Sequence, residues 1–203
     1  MTEVGGMDRD RIGGGALIAA AAGTVLAMAH HPTGMHGAGL GGLVHGAMIA
    51  LLGVLVFGFA RFAQERGMGR PLILAGAIAY ALSLFGHLGA ATINGFVAPA
   101  VASSQPPVSH DIFRLAWEAN QALAKLGVVA TGLAYLAWGA DLARDRATRW
   151  LGLAGIAAGV IPAALLAMGL IRMNVAGAFI AYAAHALWAV LLGWAMWRGT
   201  ARD

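Results

Sequence analysis

The sequence predicts an all-α, polytopic membrane protein: a bundle of six transmembrane helices with both termini cytoplasmic, forming one domain over residues 1–203. Three observations predict it. First, 60% of the residues are hydrophobic and only 11% charged, about half the charged share of a soluble domain. Second, no Asp, Glu, Lys or Arg occurs between Arg11 and Arg61, between Arg70 and Asp111, from Trp150 to Ile171, or from Met173 to Trp197. A span needs roughly 20 apolar residues, so each gap holds one or two. Third, ten arginines (Arg9, Arg11, Arg61, Arg66, Arg70, Arg144, Arg146, Arg149, Arg198 and Arg202) fall at one set of span ends. Only Arg114 and Arg172 fall at the other. Positive residues stay inside, so the second set of ends faces outward, as in a bacterial inner membrane.

The spans read as about 13–31, 41–62, 71–93, 112–138, 150–171 and 174–197. Helix is the state that satisfies an apolar run's backbone in lipid. Span 1 also has the charged start, Ala-rich centre and Ala27-Met28-Ala29 of a secretory signal, and the retained helix is the preferred reading. The segments 70–79 and 149–158 match at six of ten positions. Each follows an arginine-rich loop, and spans 2–3 and 4–5 are the hairpins that a duplication would relate. The six tryptophans are expected mostly in interfacial belts. There is no cysteine, which removes disulfide, thiolate and iron–sulfur chemistry. No nucleotide or protease motif occurs. The basic balance follows from topology, so the lipid bilayer is the partner and nucleic acid is not.

Four of seven histidines and three of nine methionines fall within residues 28–48. Imidazole is the commonest metal ligand and thioether sulfur favours Cu(I). Met28 and His31, and likewise His45 and Met48, stand three apart and share a helix face. The candidate ligands are therefore Met28, His31, Met35, His36, His45, Met48 and His87, with copper the metal they suit. A b-type haem between His45 and His87, read as lying at similar depth, is the second option; structural histidines with no cofactor are the third. Span 4 carries Glu118, Gln121 and Lys125 on one stripe. The helical rise puts Lys125, the chain's one lysine, near mid-bilayer. Membrane-buried ionisable groups are functional by default, so Glu118, Lys125 and mid-membrane His185 are the candidate relay residues. Asn94, Asn120, Gln121, Arg172 and Asn174 are the candidate lining of an outward mouth.

Three functions follow as expectations. One is a redox or metal-handling protein built on the histidines. Another is a small proton-coupled transporter or channel built on the span-4 stripe. The last is a non-catalytic subunit that packs against a second copy or a larger membrane complex. Whether the chain is an enzyme stays open. Six short helices with "ARDRATRWLGLAG" between spans 4 and 5 resemble uncharacterised bacterial six-helix integral membrane proteins, a likeness that implies architecture and no activity. "HHPTGMHG" is similar to the His-Pro-x-x-Gly loop of nickel/cobalt permeases. Those pair it with an Asp-His dipeptide inside a helix, where this chain has Val44-His45.

Overall fold

Six helices long and apolar enough to cross a membrane make up the computed structural model, which describes residues 3–31 and 38–200, with side chains from 10 to 31 and from 40 to 200. In chain order they are α1 (Glu3–Ala29), α2 (Ala38–Arg66), α3 (Pro71–Thr92), α5 (His110–Leu142), α6 (Arg149–Ala167) and α7 (Val175–Trp197). Between α3 and α5, a π turn (Ile93–Val97) and a short α4 (Ala98–Ala102) prolong α3. Pro71 opens α3, where its missing N–H costs nothing. The π turn has a local cause. Pro99 has no N–H to give the Gly95 carbonyl, and its ring would clash there. The helix instead widens, with Ala98 N–H donating to Ile93 O. The third span therefore runs to Ala102 rather than stopping near 93.

The helices lie close because small residues meet where they cross. A Cβ on Gly132 would stand 2.6 Å from Gly159 O, and one on Gly139 would stand 2.6 Å from Gly152 O, which fixes α5 antiparallel to α6. Gly86 lies against Leu123 and Gly127 in the same way, joining α3 to α5. Gly14 of α1 meets Gly193 of α7. With Leu17 and Ala21 fully buried, α1 is an integral part of the bundle.

The core at one end is aromatic. Phe59, Tyr80, Tyr135, Trp138 and Trp188 form one stack, with Tyr135 and Trp188 centroids 4.2 Å apart and Phe59 and Trp138 centroids 5.2 Å apart. Trp138 and Trp188 are each 1% exposed, so these two belong to the core rather than to an interfacial belt. Each indole has a hydrogen-bond partner. Trp138 Nε1 donates to Ile73 O at 3.1 Å, and Trp188 Nε1 donates to Leu151 O at 3.0 Å. The matched segments explain the pair. Gly76 and Gly155 hold the same place in the alignment, and each lies directly under one of the two indoles. The shared packing relates α3 with α5 to α6 with α7, that is, spans 3–4 to spans 5–6.

Beyond the aromatics the arginine-bearing ends meet. Asp141 of α5 takes Arg66 Nη2 at 2.9 Å and Arg70 Nε at 3.0 Å, and Arg66 and Asp141 are almost wholly buried. This arginine end and the opposite histidine end define the bundle's axis.

Candidate functional site

One cavity of about 130 Å³ runs from the histidine end toward the aromatic stack. It begins at the α6–α7 turn, where Met173 and Asn174 lie, and its walls come from α1, α2, α3, the π turn, α5 and α7. The alternation of helices brings together residues far apart in sequence. Met28 and His31 come from the end of α1, His45 and Met48 from α2, and Asn94 from the π turn. Asn120 and Thr131 come from α5, and Tyr182 and His185 from α7.

The mouth is built around two imidazoles. His45 is seated by the π turn, since a Cβ on Gly95 would fall 3.0 Å from His45 Cγ. Its Nδ1 lies 2.7 Å from Gly41 O. A carbonyl only accepts, so Nδ1 carries the proton and the neutral ring presents a lone pair at Nε2. His31 Nε2 lies 3.2 Å from that atom and donates to it. The rings stand edge to face, with centroids 4.9 Å apart. The methionines Met28, Met48 and Met173 line the same cavity. They also pack with Ala124, Ala181 and Tyr182 into one apolar cluster.

Deeper in, His87 has a hydroxyl at each ring nitrogen: Thr131 Oγ1 at 3.1 Å from Nε2 and Tyr182 OH at 3.3 Å from Nδ1. Its ring rests on Gly127. Tyr135 OH donates to His185 O at 3.3 Å, and the Tyr135 ring meets the His185 imidazole edge to face. Two residues that line this cavity each carry a buried polar atom with no hydrogen-bond partner among the described residues, Asn120 Oδ1 and His185 Nε2. No lining residue is Asp, Glu, Lys or Arg.

Most of the residues singled out by sequence therefore converge. Met28, His31, His45, Met48, His87, Asn94, Asn120, Asn174 and His185 all line the cavity. Met35 and His36 lie outside the described residues. His45 and His87 are not brought face to face. His45 packs on Gly95, and Gly95 stands eight residues beyond His87 along the same span, an axial offset of about 12 Å.

The span-4 stripe divides. Gln121 Nε2 donates to Met173 O at 2.9 Å, tying α5 to the α6–α7 turn. Glu118 and Lys125 are exposed on the far side of α5, away from the cavity, and Arg172 is exposed beside the turn. Lys125 stands at different heights against its two neighbours, level with about His87 of α3, where Gly86 and Gly89 meet Leu123 and Gly127. The Gly132–Gly159 and Gly139–Gly152 register, carried along α5, puts Lys125 level with Leu166 in the last turn of α6. The cause is length: α5 has 33 residues and α6 has 19, about 50 Å against about 28 Å. The middle of α5 is thus near the edge of α6.

Sequence reasoning missed Tyr80, Tyr135, Tyr182, Thr131 and Met173, although all of the chain's three tyrosines line the cavity. A signal was available, because a tyrosine deep in an apolar span needs a polar or aromatic partner for its hydroxyl end. Among the described residues no group of three or more His, Cys, Asp or Glu is arranged to hold a metal ion. The chain matches no protein-family model, no curated protein and no solved structure.

Proposed function

We propose that this chain is a bacterial inner-membrane protein, termini cytoplasmic, that binds a soft metal ion, Cu(I), at an outward-facing mouth and handles it there. The observation that carries the reading is the His31–His45 pair, two Nε2 atoms 3.2 Å apart in a methionine-lined cavity. A ligating histidine typically donates its other ring N–H to a backbone carbonyl, which fixes tautomer and aim. His45 does so through Gly41 O. Two imidazoles with one or two thioethers suit Cu(I), whereas zinc and iron sites want more imidazole, carboxylate or thiolate. The neutral wall agrees, because a monovalent ion tolerates uncharged ligands better than a divalent one does.

The residues' roles follow from this geometry. His45 keeps its proton on Nδ1 and offers Nε2. His31 moves its proton from Nε2 to Nδ1 and offers the freed lone pair. The rings part by somewhat under an ångström to admit an ion at ordinary metal–nitrogen lengths of about 2 Å. Met28 and Met48, each three residues from one of these histidines, supply sulfur. Handling is favoured over passage because the aromatic stack and the Asp141 ion cluster close the bundle beneath the cavity. Haem is less well supported, since both His87 nitrogens already have hydroxyl partners. The subunit reading retains one supporting observation: the exposed Glu118 and Lys125 on α5 are costly to leave unpartnered at a lipid boundary.

The test is a Cu(I) competition titration against bicinchoninate on detergent-purified protein. One ion bound per chain, and lost in His31→Ala and His45→Ala, supports the proposal. Wild-type protein that leaves the chelator's copper untouched ends it.

A further inference from the structure

Charge beyond the arginine end is confined to one sector of the bundle. The charged residues there are Asp111, Arg114, Glu118 and Lys125 on α5 and Arg172 at the α6–α7 turn. All five are exposed, and none makes an ion pair or a side-chain hydrogen bond among the described residues. The four on α5 share one strip, at spacings of three, four and seven. The strip is open because α6 is short. Lys125 is level with the last turn of α6, and α5 runs on from there to His110, about 22 Å. At about 28 Å, α6 matches the hydrocarbon thickness of a bilayer. Its outer end therefore marks the outer boundary, and the strip rises from that boundary through the headgroup layer. Lys125 stands at the foot. Arg172 comes next, because its neighbour Met173 accepts from Gln121, one turn above Lys125. Glu118 is highest of the three, about 10 Å above Lys125. Below Lys125 the same side of α5 continues as exposed Val129 and Leu133.

Outward from the membrane the order is thus apolar surface, two cations, one carboxylate. A phospholipid whose headgroup ends in an ammonium has the complementary order: acyl chain, phosphate, ammonium. From this correspondence we infer a binding site for one phospholipid with a zwitterionic headgroup bearing a primary ammonium. Its phosphate meets the Arg172 guanidinium and the Lys125 ammonium, which reaches up from the boundary on its apolar stem. Its ammonium donates to the Glu118 carboxylate, and an acyl chain lies along Val129 and Leu133. Trp117, beside Glu118 and 54% exposed, stands at headgroup level, where tryptophan is favoured. A second copy does not complete the strip. Two copies in one membrane share an orientation, so a symmetric pairing sets Glu118 against Glu118 and Lys125 against Lys125. No other outward surface of the chain carries charge to offer instead. An anionic headgroup without an ammonium leaves Glu118 facing a like charge. The site uses no residue of the copper mouth.

The experiment is native mass spectrometry of the detergent-purified full chain titrated with four probes. They are phosphatidylethanolamine, phosphatidylcholine, phosphatidylglycerol and the tail-free glycerophosphoethanolamine. One phosphatidylethanolamine per chain is expected, bound at least about tenfold more tightly than phosphatidylcholine, whose quaternary ammonium has no proton to give Glu118. Phosphatidylglycerol is expected to bind more weakly too. Glu118→Gln should abolish the preference for phosphatidylethanolamine and strengthen phosphatidylglycerol, a reversal that a merely structural role of Glu118 does not produce. Lys125→Gln/Arg172→Gln should weaken both lipids about tenfold. The wild-type comparison of the four probes decides even where a variant fails to fold. Equal affinity for the three lipids overturns the site, as does a preference untouched by Glu118→Gln. Glycerophosphoethanolamine binding as tightly as the lipid would make this a site for a soluble phosphoester and overturn the lipid. A lipid-free dimer, or a co-purifying membrane protein released by Glu118→Gln, would give the strip to a protein partner and overturn it as well. His31→Ala/His45→Ala protein should bind the lipid like the wild type, so failure of the copper reading and failure of this one are separately visible.

Discussion

His31 and His45, fourteen residues apart in the chain, point their Nε2 atoms at each other across 3.2 Å. One comes from the end of α1 and the other from the second turn of α2. The contact exists because α1 and α2 pack side by side and because Gly95, on a third helix, leaves room for the His45 ring. A methyl group at that glycine is the least intrusive way to disturb the pair.

Gly95→Ala should therefore weaken Cu(I) binding without removing a ligand. The added Cβ would fall 3.0 Å from His45 Cγ and closer still to its Cβ, so the ring must turn. Disturbing what orients a ligand typically costs about 10- to 100-fold in metal affinity. Chelator competition reads this directly, and unchanged affinity would mean that the orientation of His45 is irrelevant to binding.

Lys125→Met separates the mouth from the outer face of α5. Lys125 is exposed and level with the last turn of α6, and a substitution at such a surface position usually shifts stability by no more than about 0.5 kcal/mol. Copper affinity is expected to be unchanged. A loss of copper, or of proton-coupled flux in proteoliposomes, would return the span-4 stripe to the centre of function.

Asp141→Asn should be among the most damaging single changes. The carboxylate holds Arg66 and Arg70, and both Arg66 and Asp141 are almost wholly buried. Removing one partner leaves an uncompensated buried charge, a cost of about 3–5 kcal/mol. Unfolding in mixed micelles by added dodecyl sulfate should show it as a marked fall in midpoint. An unshifted midpoint would mean that the cluster is solvated and dispensable.

Gly159→Leu tests the α5–α6 register on which the depth of Lys125 depends. Its Cβ would meet Gly132 O and would stand 3.0 Å from Tyr135 Cβ. Overpacking a close contact costs about 1–3 kcal/mol. The same midpoint assay checks it, and a Gly159→Ala variant should lie between Leu and wild type.

Much of the candidate site was legible before any tertiary contact was known. Met28, His31, His45 and Met48 stand out by residue type and spacing, and Asn120 and His185 stand out as polar groups inside apolar spans; all of them line the cavity. Other features depend on direction and length, which composition does not reveal. Glu118 and Lys125 share a stripe with Gln121, yet only Gln121 turns to another helix, because the α6–α7 turn meets α5 on that side. Trp138 and Trp188 resemble belt residues in sequence and prove to be core, since Gly76 and Gly155 open a slot for each indole. His45 and His87 share an apparent depth only if the third span ends near 93. Pro99 and the π turn carry that span further, and the two histidines separate.

The sequence by itself determined six apolar helices and the gathering of arginines at one end and of histidines and methionines toward the other. Lipid leaves an apolar run no state but helix, and charge sets which ends lie together. Only the tertiary structure decided which faces meet, how far each helix slides past the next, and hence that one neutral cavity gathers the histidine pair, the methionines, Asn120 and His185. Those outcomes are set by glycine-to-backbone contacts between helices, whose register no single helix contains.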